Sequence, residues 1–236
     1  MDPELYLRVR QKEGRLYSDD VVARLPFISG DHPLAGEWRA RSTSARRLVG
    51  YLSSFQKPRL ILDLGCGNGW LSNRLAEYGL RVIGLDQNLY ELKQAARVFR
   101  SNPKLSFLES NIFSAPFNTV LFDVIILASV LQYFPDAASL MSMLSSYLKP
   151  QGEIHILDTP LYSANEIEEA KLRSNQYYTS LGFPEMNAHY FHHRTSNFDA
   201  LHPTTLYNPR SLTVQLKRWI GKVDSPFPWF VIRKQD

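Results

Sequence analysis

Three alternate glycines and two carboxylates form the part of this sequence most able to bind a ligand. Asp63 precedes the glycine-rich run Gly65–Gly69, which follows the apolar segment Leu60–Leu64. Because glycine has no Cβ, such a loop lets a ligand approach the backbone closely. Asp86 ends the next apolar run, where a carboxylate can accept hydrogen bonds from both hydroxyls of a ribose. The pattern predicts a nucleoside-bearing cofactor at the carboxyl ends of neighbouring parallel strands.

Two classes of cofactor site use this order of strand, glycine loop, helix and acid. Dinucleotide sites have the spacing G-x-G-x-x-G and direct a helix N-terminus at a pyrophosphate. Here the third glycine comes one position earlier, as Gly65-x-Gly67-x-Gly69. The distance to Asp86 fits both classes, so the glycine spacing alone separates them, and it disfavours an NAD-type oxidoreductase.

The glycine loop, with Asp63 ahead of it, resembles the first motif of the class I S-adenosylmethionine-dependent methyltransferases. The resemblance covers roughly residues 57 to 158, and the later segments that carry it are Val82–Asn88, Phe122–Phe134 and Leu148–Glu153. It implies a doubly wound, Rossmann-like α/β fold. That fold has a mostly parallel seven-stranded sheet with an antiparallel C-terminal strand.

The resemblance also implies which residues bind S-adenosylmethionine. The glycine loop would hold the methionine portion and Asp86 the ribose, while Asn111 stands where the family often has an acid beside the adenine. Arg41 either pairs with the carboxylate of the cofactor or is solvated on a helix that packs through Trp38. The predicted cofactor-binding residues are Asp63, Gly65, Cys66, Gly67, Asp86, Gln87, Asn88, Asn111, Ile112, Ala128, Ser129 and Arg41.

Strand-like and helix-like segments alternate after residue 58, which predicts a parallel sheet covered on both faces. The strand-like runs are Arg59–Leu64, Arg81–Leu85, Leu105–Leu108, Leu121–Leu127, Glu153–Leu157 and Pro226–Arg233, and the helix-like runs are Leu71–Tyr78, Tyr90–Arg100, Ala137–Leu148 and Glu166–Leu181. We predict an N-terminal helical cover over residues 1–56 and a cofactor-binding domain over 57–236. About 159–207 we predict an insertion that forms a cap, although Ala188–His193 could be a sheet strand.

Histidine and aromatic side chains concentrate in this insertion. The sulfonium of the methyl donor is intrinsically reactive, so the protein mainly aligns an acceptor and excludes water. A hydroxyl or acidic carbon as acceptor needs a general base, and histidine suits that task. We predict that one of His189, His192 and His193 is a base or orienter and that Tyr133 contributes to the pocket. The alternative is that these histidines are surface or packing residues. No metal site is predicted, because no carboxylate stands at a recognisable ligand spacing.

Composition narrows the classes of acceptor. The 236 residues include one cysteine, Cys66, within the glycine loop. That cysteine count excludes a disulfide framework and also the cysteine nucleophile needed to methylate a cytosine ring carbon. The segment Ala128–Leu131 lacks the Asn/Asp-Pro-Pro-aromatic element typical of enzymes that methylate exocyclic amines of bases. No RNA-binding module or basic stripe with stacking aromatics is visible.

These observations favour a small-molecule acceptor. The chain in this respect resembles the large branch of class I methyltransferases that acts on diverse substrates and includes quinone and natural-product methylases. The low cysteine content and the absence of a long apolar run predict a cytoplasmic enzyme without a membrane span. Two alternatives stay open: an RNA methyltransferase, given the arginine-rich N-terminal helix, and a non-catalytic S-adenosylmethionine-binding protein. The sequence does not specify whether oxygen, nitrogen or carbon is methylated, or the oligomeric state.

Overall fold

A seven-stranded sheet organises the chain, which a computed structural model describes over residues 2–55, 59–117 and 120–235. The strands are β1 (Leu60–Leu64), β2 (Arg81–Asp86), β3 (Leu105–Glu109), β4 (Phe122–Ala128), β5 (Leu148–Leu157), β6 (Leu161–Tyr162), β7 (His193–Arg194), β8 (Thr204–Tyr207) and β9 (Trp229–Arg233). The sheet has the order β3-β2-β1-β4-β5-β9-β8, and β6 pairs with β7 separately. Within the described strands of the sheet, β9 alone runs in the direction opposite to the other strands. The predicted fold class is confirmed.

Helices cover both faces of this sheet. The helices of the chain are α1 (Pro3–Lys12), α2 (Asp19–Val22), α3 (Ala35–Leu52), α4 (Trp70–Glu77), α5 (Leu89–Val98), α6 (Ala137–Tyr147), α7 (Ile167–Leu181) and α8 (Leu212–Trp219). Neighbouring residues of β1 point to opposite faces, so Ile61 packs with α3 and α4 while Leu62 packs with α6. Both side chains are fully buried, as expected for a central parallel strand.

The helix boundaries follow local capping signals. Asp136 begins α6, because its Oδ1 accepts hydrogen bonds from the main-chain N–H groups of Ala138 at 2.9 Å and Ser139 at 3.1 Å. Gly182 ends α7 in the left-handed conformation, with φ of +89°. Such signals lie close in sequence to the helices that they bound, and the predicted boundaries of these helices agree with the structure within one or two residues.

The insertion differs from its predicted extent. Residues 204–207 form β8, which pairs with β9 at the edge of the main sheet, so the insertion ends before residue 204 rather than near 207. The threonines of β8 are exposed, as is usual at an edge strand, and therefore lack the apolar pattern of the inner strands. The segment Ala188–His193 is not a sheet strand, because a 3₁₀ turn extends through His189 and only His193 enters the short strand β7.

The N-terminal part of the chain is helical, as predicted, through α1, α2 and α3. The predicted boundary at residues 56/57 lies outside the described residues. No helix in the described ranges has both the length and the apolar character that crossing a bilayer requires.

Candidate active site

The glycine loop leaves the carboxyl end of β1 and turns directly into α4. Its glycines have left-handed backbone angles, with φ of +72° at Gly65 and +74° at Gly69. A Cβ at Gly65 would lie 2.2 Å from Cγ2 of Val130, and one at Gly69 would lie 2.5 Å from the Phe107 ring. Both positions therefore require glycine on conformational and steric grounds. The main chain of the loop is left accessible where a ligand can approach.

Asp86, at the end of β2, holds the glycine loop from the neighbouring strand. Its Oδ2 accepts a hydrogen bond from the Gly67 N–H at 2.8 Å, and its Oδ1 accepts one from the Asn88 N–H at 2.9 Å. Burial raises the pKa of the Asp86 carboxyl, while these two N–H groups act in the opposite direction. Asn88 in turn caps α5, since its Oδ1 accepts from the Tyr90 N–H at 3.1 Å.

Two further carboxyl groups are buried beside the loop. Asp63 accepts a hydrogen bond from the Ser72 hydroxyl at 2.5 Å, and burial raises its pKa to about 6. Glu91 is 4% exposed, and burial raises its pKa to about 7 although Arg10 opposes this effect. A Cβ at Gly67 would lie 3.5 Å from Oε1 of Glu91. Three acidic groups thus surround a loop that has no large side chain of its own, an arrangement that suits a ligand carrying positive charge.

Two adjoining cavities extend from the loop. A cavity of about 520 Å³ lies against Asp63 and Gly67, and a smaller one of about 120 Å³ lies against Asp86 and Ile112. Residues that line both are Tyr6, Gly65, Ser129 and Tyr133. The two cavities therefore form one elongated site across the carboxyl ends of β1, β2 and β4, the edge at which ligands bind in open α/β sheets.

The first helix, α1, forms a lid over this site. Leu5 and Val9 pack against Tyr178 and Met186 of the insertion, which places Tyr6 and Arg10 over the cavities. The Tyr6 ring lies 5.8 Å from the Tyr133 ring in an edge-on arrangement, and the Arg10 guanidinium lies 5.5 Å from the Tyr6 ring. Sequence reasoning missed Tyr6 and Arg10. The available signal was their spacing of four residues, which repeats that of the apolar pair Leu5 and Val9 one position earlier and places Tyr6 and Arg10 on one side of a helix.

Phenol rings line the larger cavity below the lid. The Tyr190 ring lies 6.1 Å from Tyr133 and 5.7 Å from Tyr178, and Tyr177 donates a hydrogen bond from its hydroxyl to Oε1 of Glu13 at 2.6 Å. Burial raises the pKa of Tyr133, Tyr178 and Tyr190, so these phenols stay protonated at neutral pH. This part of the wall is aromatic and offers hydroxyls as hydrogen-bonding groups, while charged side chains such as Arg15 and Arg173 line other parts of the cavity.

Two buried polar atoms in this cavity have no hydrogen-bond partner among the described residues. They are Nε of Arg10 and Oε1 of Gln132, and both side chains line the larger cavity. Gln132 is 7% exposed, and its amide nitrogen donates to the Ser129 carbonyl at 2.7 Å, which holds the side chain in place. Since unpaired buried polar groups are costly, this donor and this acceptor are available to a polar ligand in the cavity.

The structure brings most of the predicted cofactor-binding residues to these cavities. Those that line the larger one are Asp63, Gly65, Cys66, Gly67, Ala128, Ser129 and Arg41, and those that line the smaller one include Asp86, Gln87, Asn88 and Ile112. Arg41 donates from Nε to Oε1 of Glu37 at 2.9 Å, and Trp38 is buried, so the helix packs through Trp38 while Arg41 reaches the cavity.

Asn111 is the exception among these residues. Its Oδ1 accepts a hydrogen bond from the Phe113 N–H at 3.0 Å, and its side chain is exposed and lines neither cavity. The amide oxygen expected beside the adenine is therefore used to cap the short turn that begins at Ile112.

The predicted catalytic residues divide into two groups. Tyr133 lines both cavities, whereas His189, His192 and His193 line neither. His193 is buried, with Nε2 at 3.2 Å from the Leu131 carbonyl oxygen and 3.0 Å from that of Phe134. The ring of His193 therefore donates to main-chain carbonyls and holds the loop after β4 in place. This corrects the expectation that His193 could act as a base or orienter in the site.

The other two histidines do not line the cavities either, although His192 contacts Ser174 and Tyr190, which line the larger one. Nε2 of His192 is 2.9 Å from the Ser174 hydroxyl, and its ring lies 5.5 Å from that of Tyr162. His189 lies in the 3₁₀ turn Pro184–His189. The geometry does not support a base role for them, since neither ring reaches the cavities. Within the described residues, no group of three or more His, Cys, Asp and Glu side chains is arranged to hold a metal ion.

Comparison with known proteins connects this site to methyl transfer. Residues 62–156 match a family model described as a methyltransferase domain. Over 97 residues the chain is 33% identical to the ubiquinone biosynthesis O-methyltransferase of Yersinia enterocolitica, covering 40% of each protein. Over 131 residues it is 26% identical to sterol 24-C-methyltransferase of Saccharomyces cerevisiae, covering 52% of this chain and 34% of that protein. The chain thus spans about two fifths of the length of the curated relatives it matches first.

Solved structures extend the likeness of fold beyond the matched region. One is the structure of geranyl diphosphate C-methyltransferase from Streptomyces coelicolor in a complex that contains S-adenosyl-L-homocysteine. The alignment covers 98% of this chain and 98% of that chain, with a TM-score of 0.60 and 15% identity. The YcgJ protein of Bacillus subtilis covers 82% of this chain with a TM-score of 0.60 at 14% identity. At these identities the likeness concerns the fold alone. The resemblance to class I methyltransferases, first seen in the glycine loop, is confirmed.

Proposed function

From the premise that residues 62–156 match a methyltransferase domain, we propose that this protein transfers a methyl group from S-adenosylmethionine to a small-molecule acceptor. The observation that carries the proposal is the single elongated site. A glycine loop held by Asp86 lines the same cavity of about 520 Å³ as the aromatic side chains of Tyr133, Tyr178 and Tyr190. A cavity of that volume is the size of a small-molecule pocket.

The residues of the loop fit the cofactor. The main chain at Gly65 would hold the methionine portion, Asp86 the ribose, and the apolar surface around Ile112 the adenine. Arg41 would pair with the cofactor carboxylate, while Asp63 and Glu91 supply negative charge close by. When bound, S-adenosylmethionine supplies an electrophilic methyl group on a cationic sulfur. The buried carboxyl groups favour that charge over a neutral analogue.

The aromatic cavity under α1 would hold the acceptor. Arg10 and Tyr133 would orient a polar group of the acceptor, and the oxygen of Gln132 would accept a hydrogen bond from it. Arg10 stays charged at any working pH, so it can stabilise an acceptor oxygen in its anionic form. The tyrosines around it would shield the acceptor from water on the side of the cavity that they line. The relatives named above are enzymes of ubiquinone and sterol methylation, which supports a small organic acceptor.

Calorimetry of the purified chain tests the cofactor. We expect S-adenosylmethionine and S-adenosylhomocysteine to bind and NAD not to bind. Asp86→Ala is the matched variant, and it should weaken both sulfur nucleosides. Binding of NAD alone would overturn the proposal.

A transfer assay separates the remaining alternatives. The label of methyl-labelled S-adenosylmethionine should enter an organic extract of small molecules, and RNase treatment should leave that incorporation unchanged. Label that is lost on RNase treatment would identify an RNA methyltransferase. Cofactor binding without acceptor-dependent release of S-adenosylhomocysteine would identify a non-catalytic binding protein.

A further inference from the structure

The surface of α8 carries an apolar stripe that faces away from the protein. Leu212 is 79% exposed, Leu216 61%, Trp219 88% and Ile220, at the end of the helix, 69%. With about 100° of rotation per residue, these four side chains fall within a sector about 100° wide. Val214, on the opposite side of the helix, is buried in the core and attaches α8 to the domain. The helix is therefore docked through one face and presents a second apolar face to its surroundings.

This stripe lies at the edge of the sheet that holds the proposed active site. Strand β8 is parallel to β5 and β9 is antiparallel, so the connection through α8 runs at the carboxyl end of β5. Ser225, after α8, donates a hydrogen bond from its hydroxyl to Asp158 at 2.7 Å, and Asp158 directly follows β5. Arg47 of α3 pairs with Asp224 at 2.6 Å. These two contacts anchor the chain just after α8, and buried Val214 anchors the helix itself, so the exposure of the stripe does not come from a detached loop.

The composition of the connection indicates what covers the stripe. Residues 210–223 include four basic residues and no acidic residue, in a chain of net charge +4. Arg210 and Lys222 are exposed on either side of the stripe, and Arg210 also pairs with Glu166 of the cap. A helix with leucine and tryptophan on one face and basic residues beside it is suited to the interface of an anionic bilayer. Exposed apolar stripes of this kind are uncommon on surfaces that face only water.

We propose that α8 inserts its apolar stripe into the surface of a lipid bilayer that carries anionic headgroups. Trp219 would lie at headgroup level, where its amphipathic ring is favoured. Lys222 and Arg210 would lie against the phosphates. Because α8 stands at the active-site edge of the sheet, docking in this way turns that edge toward the lipid.

Co-sedimentation with vesicles tests the proposal on the full chain. The parent should pellet with vesicles of equal parts phosphatidylglycerol and phosphatidylcholine, and more weakly with phosphatidylcholine alone. The double variant Leu216→Ser/Trp219→Ser should lower the partition coefficient at least about tenfold, since partial burial of two large apolar side chains exceeds the free energy of a factor of ten. Leu172→Ser, at a 58% exposed leucine of α7, is the matched control and should bind as the parent does.

Three results would overturn the proposal. The parent could fail to bind anionic vesicles, or the double variant could bind them unchanged. A parent that is dimeric in lipid-free solution, with a monomeric double variant, would assign the stripe to a second copy of the chain. Calorimetry with S-adenosylhomocysteine and the circular dichroism spectrum show whether the variant is folded, independently of lipid binding.

Discussion

Replacing Glu91 by glutamine should stabilise the protein, and by an amount that depends on pH. Glu91 is buried, with Oε2 at 3.3 Å from the amide nitrogen of Asn88, and its pKa lies at about 7 instead of the ordinary 4.5. A folded-state pKa above the unfolded value means that folding favours the protonated form. Stability is therefore lost as the pH rises from about 4.5 through 7. Glutamine has nearly the same shape and carries no charge, so it removes this dependence.

The expected size of the effect follows from that pKa. Each pKa unit represents about 1.4 kcal/mol, so ionised Glu91 costs about 3 kcal/mol at pH 8. At pH 5 the buried carboxyl is protonated, and the cost falls to about 1 kcal/mol. The free energy of unfolding of Glu91→Gln should therefore exceed that of the parent by about 3 kcal/mol at pH 8 and by about 1 kcal/mol at pH 5.

Urea denaturation followed by circular dichroism at pH 5, 6, 7 and 8 measures this difference. Glu77→Gln is the control, because Glu77 lies in an exposed ion pair with Arg74, and such pairs contribute about 0–1 kcal/mol. The control should differ from the parent by a small amount that changes little with pH. A difference for Glu91→Gln that is constant across this range, or a destabilised variant at pH 8, would refute the reasoning about the buried carboxyl group.

Three substitutions, one of them with a matched control, test individual contacts. Asp86→Ala should weaken S-adenosylhomocysteine binding roughly 10- to 150-fold, because a charge-assisted hydrogen bond contributes about 1.5–3 kcal/mol; unchanged affinity in calorimetry would remove Asp86 from the site. Gly65→Ala should abolish that binding, because the added Cβ would lie 2.2 Å from the Val130 side chain. Gly182→Ala is the control, since Gly182 also has a positive φ but no atom lies within 4 Å of the added Cβ. The control should lower the free energy of unfolding by only about 1–2 kcal/mol and leave binding intact. His193→Ala should lower the free energy of unfolding by about 1–3 kcal/mol with little change in cofactor affinity; lost turnover at unchanged stability would restore it as a base.

The fold and the cofactor half of the site could be predicted from the sequence. The alternation of apolar strands with amphipathic helices predicts a parallel sheet, and the spacing of Gly65, Gly67 and Gly69 predicts its ligand loop. These signals are local, since each strand, turn and cap depends on residues a few positions apart. Asp86 could be placed beside the loop because consecutive parallel strands bring their carboxyl ends to one edge.

The acceptor half of the site depends on contacts that local patterns do not encode. Tyr6 meets Tyr133 across more than one hundred residues of chain, and this contact makes α1 a lid. His193 donates to the carbonyls of Leu131 and Phe134, so a side chain suited to catalysis serves packing instead. Residue type shows what a histidine can do, but whether it faces a cavity is decided by the elements that surround it.

By itself, then, the sequence determined the sheet, the glycine loop and the acid on the next strand, because periodicity and backbone conformation act over short distances. The tertiary structure alone decided which side chains share a cavity, which buried acids are raised in pKa, and that α8 leaves Leu216 and Trp219 uncovered. Burial is a property of the packed chain. A carboxyl group has the same chemistry in every sequence, and only its surroundings make it titrate near neutral pH. In the same way, only the surroundings of a leucine make it part of a docking surface.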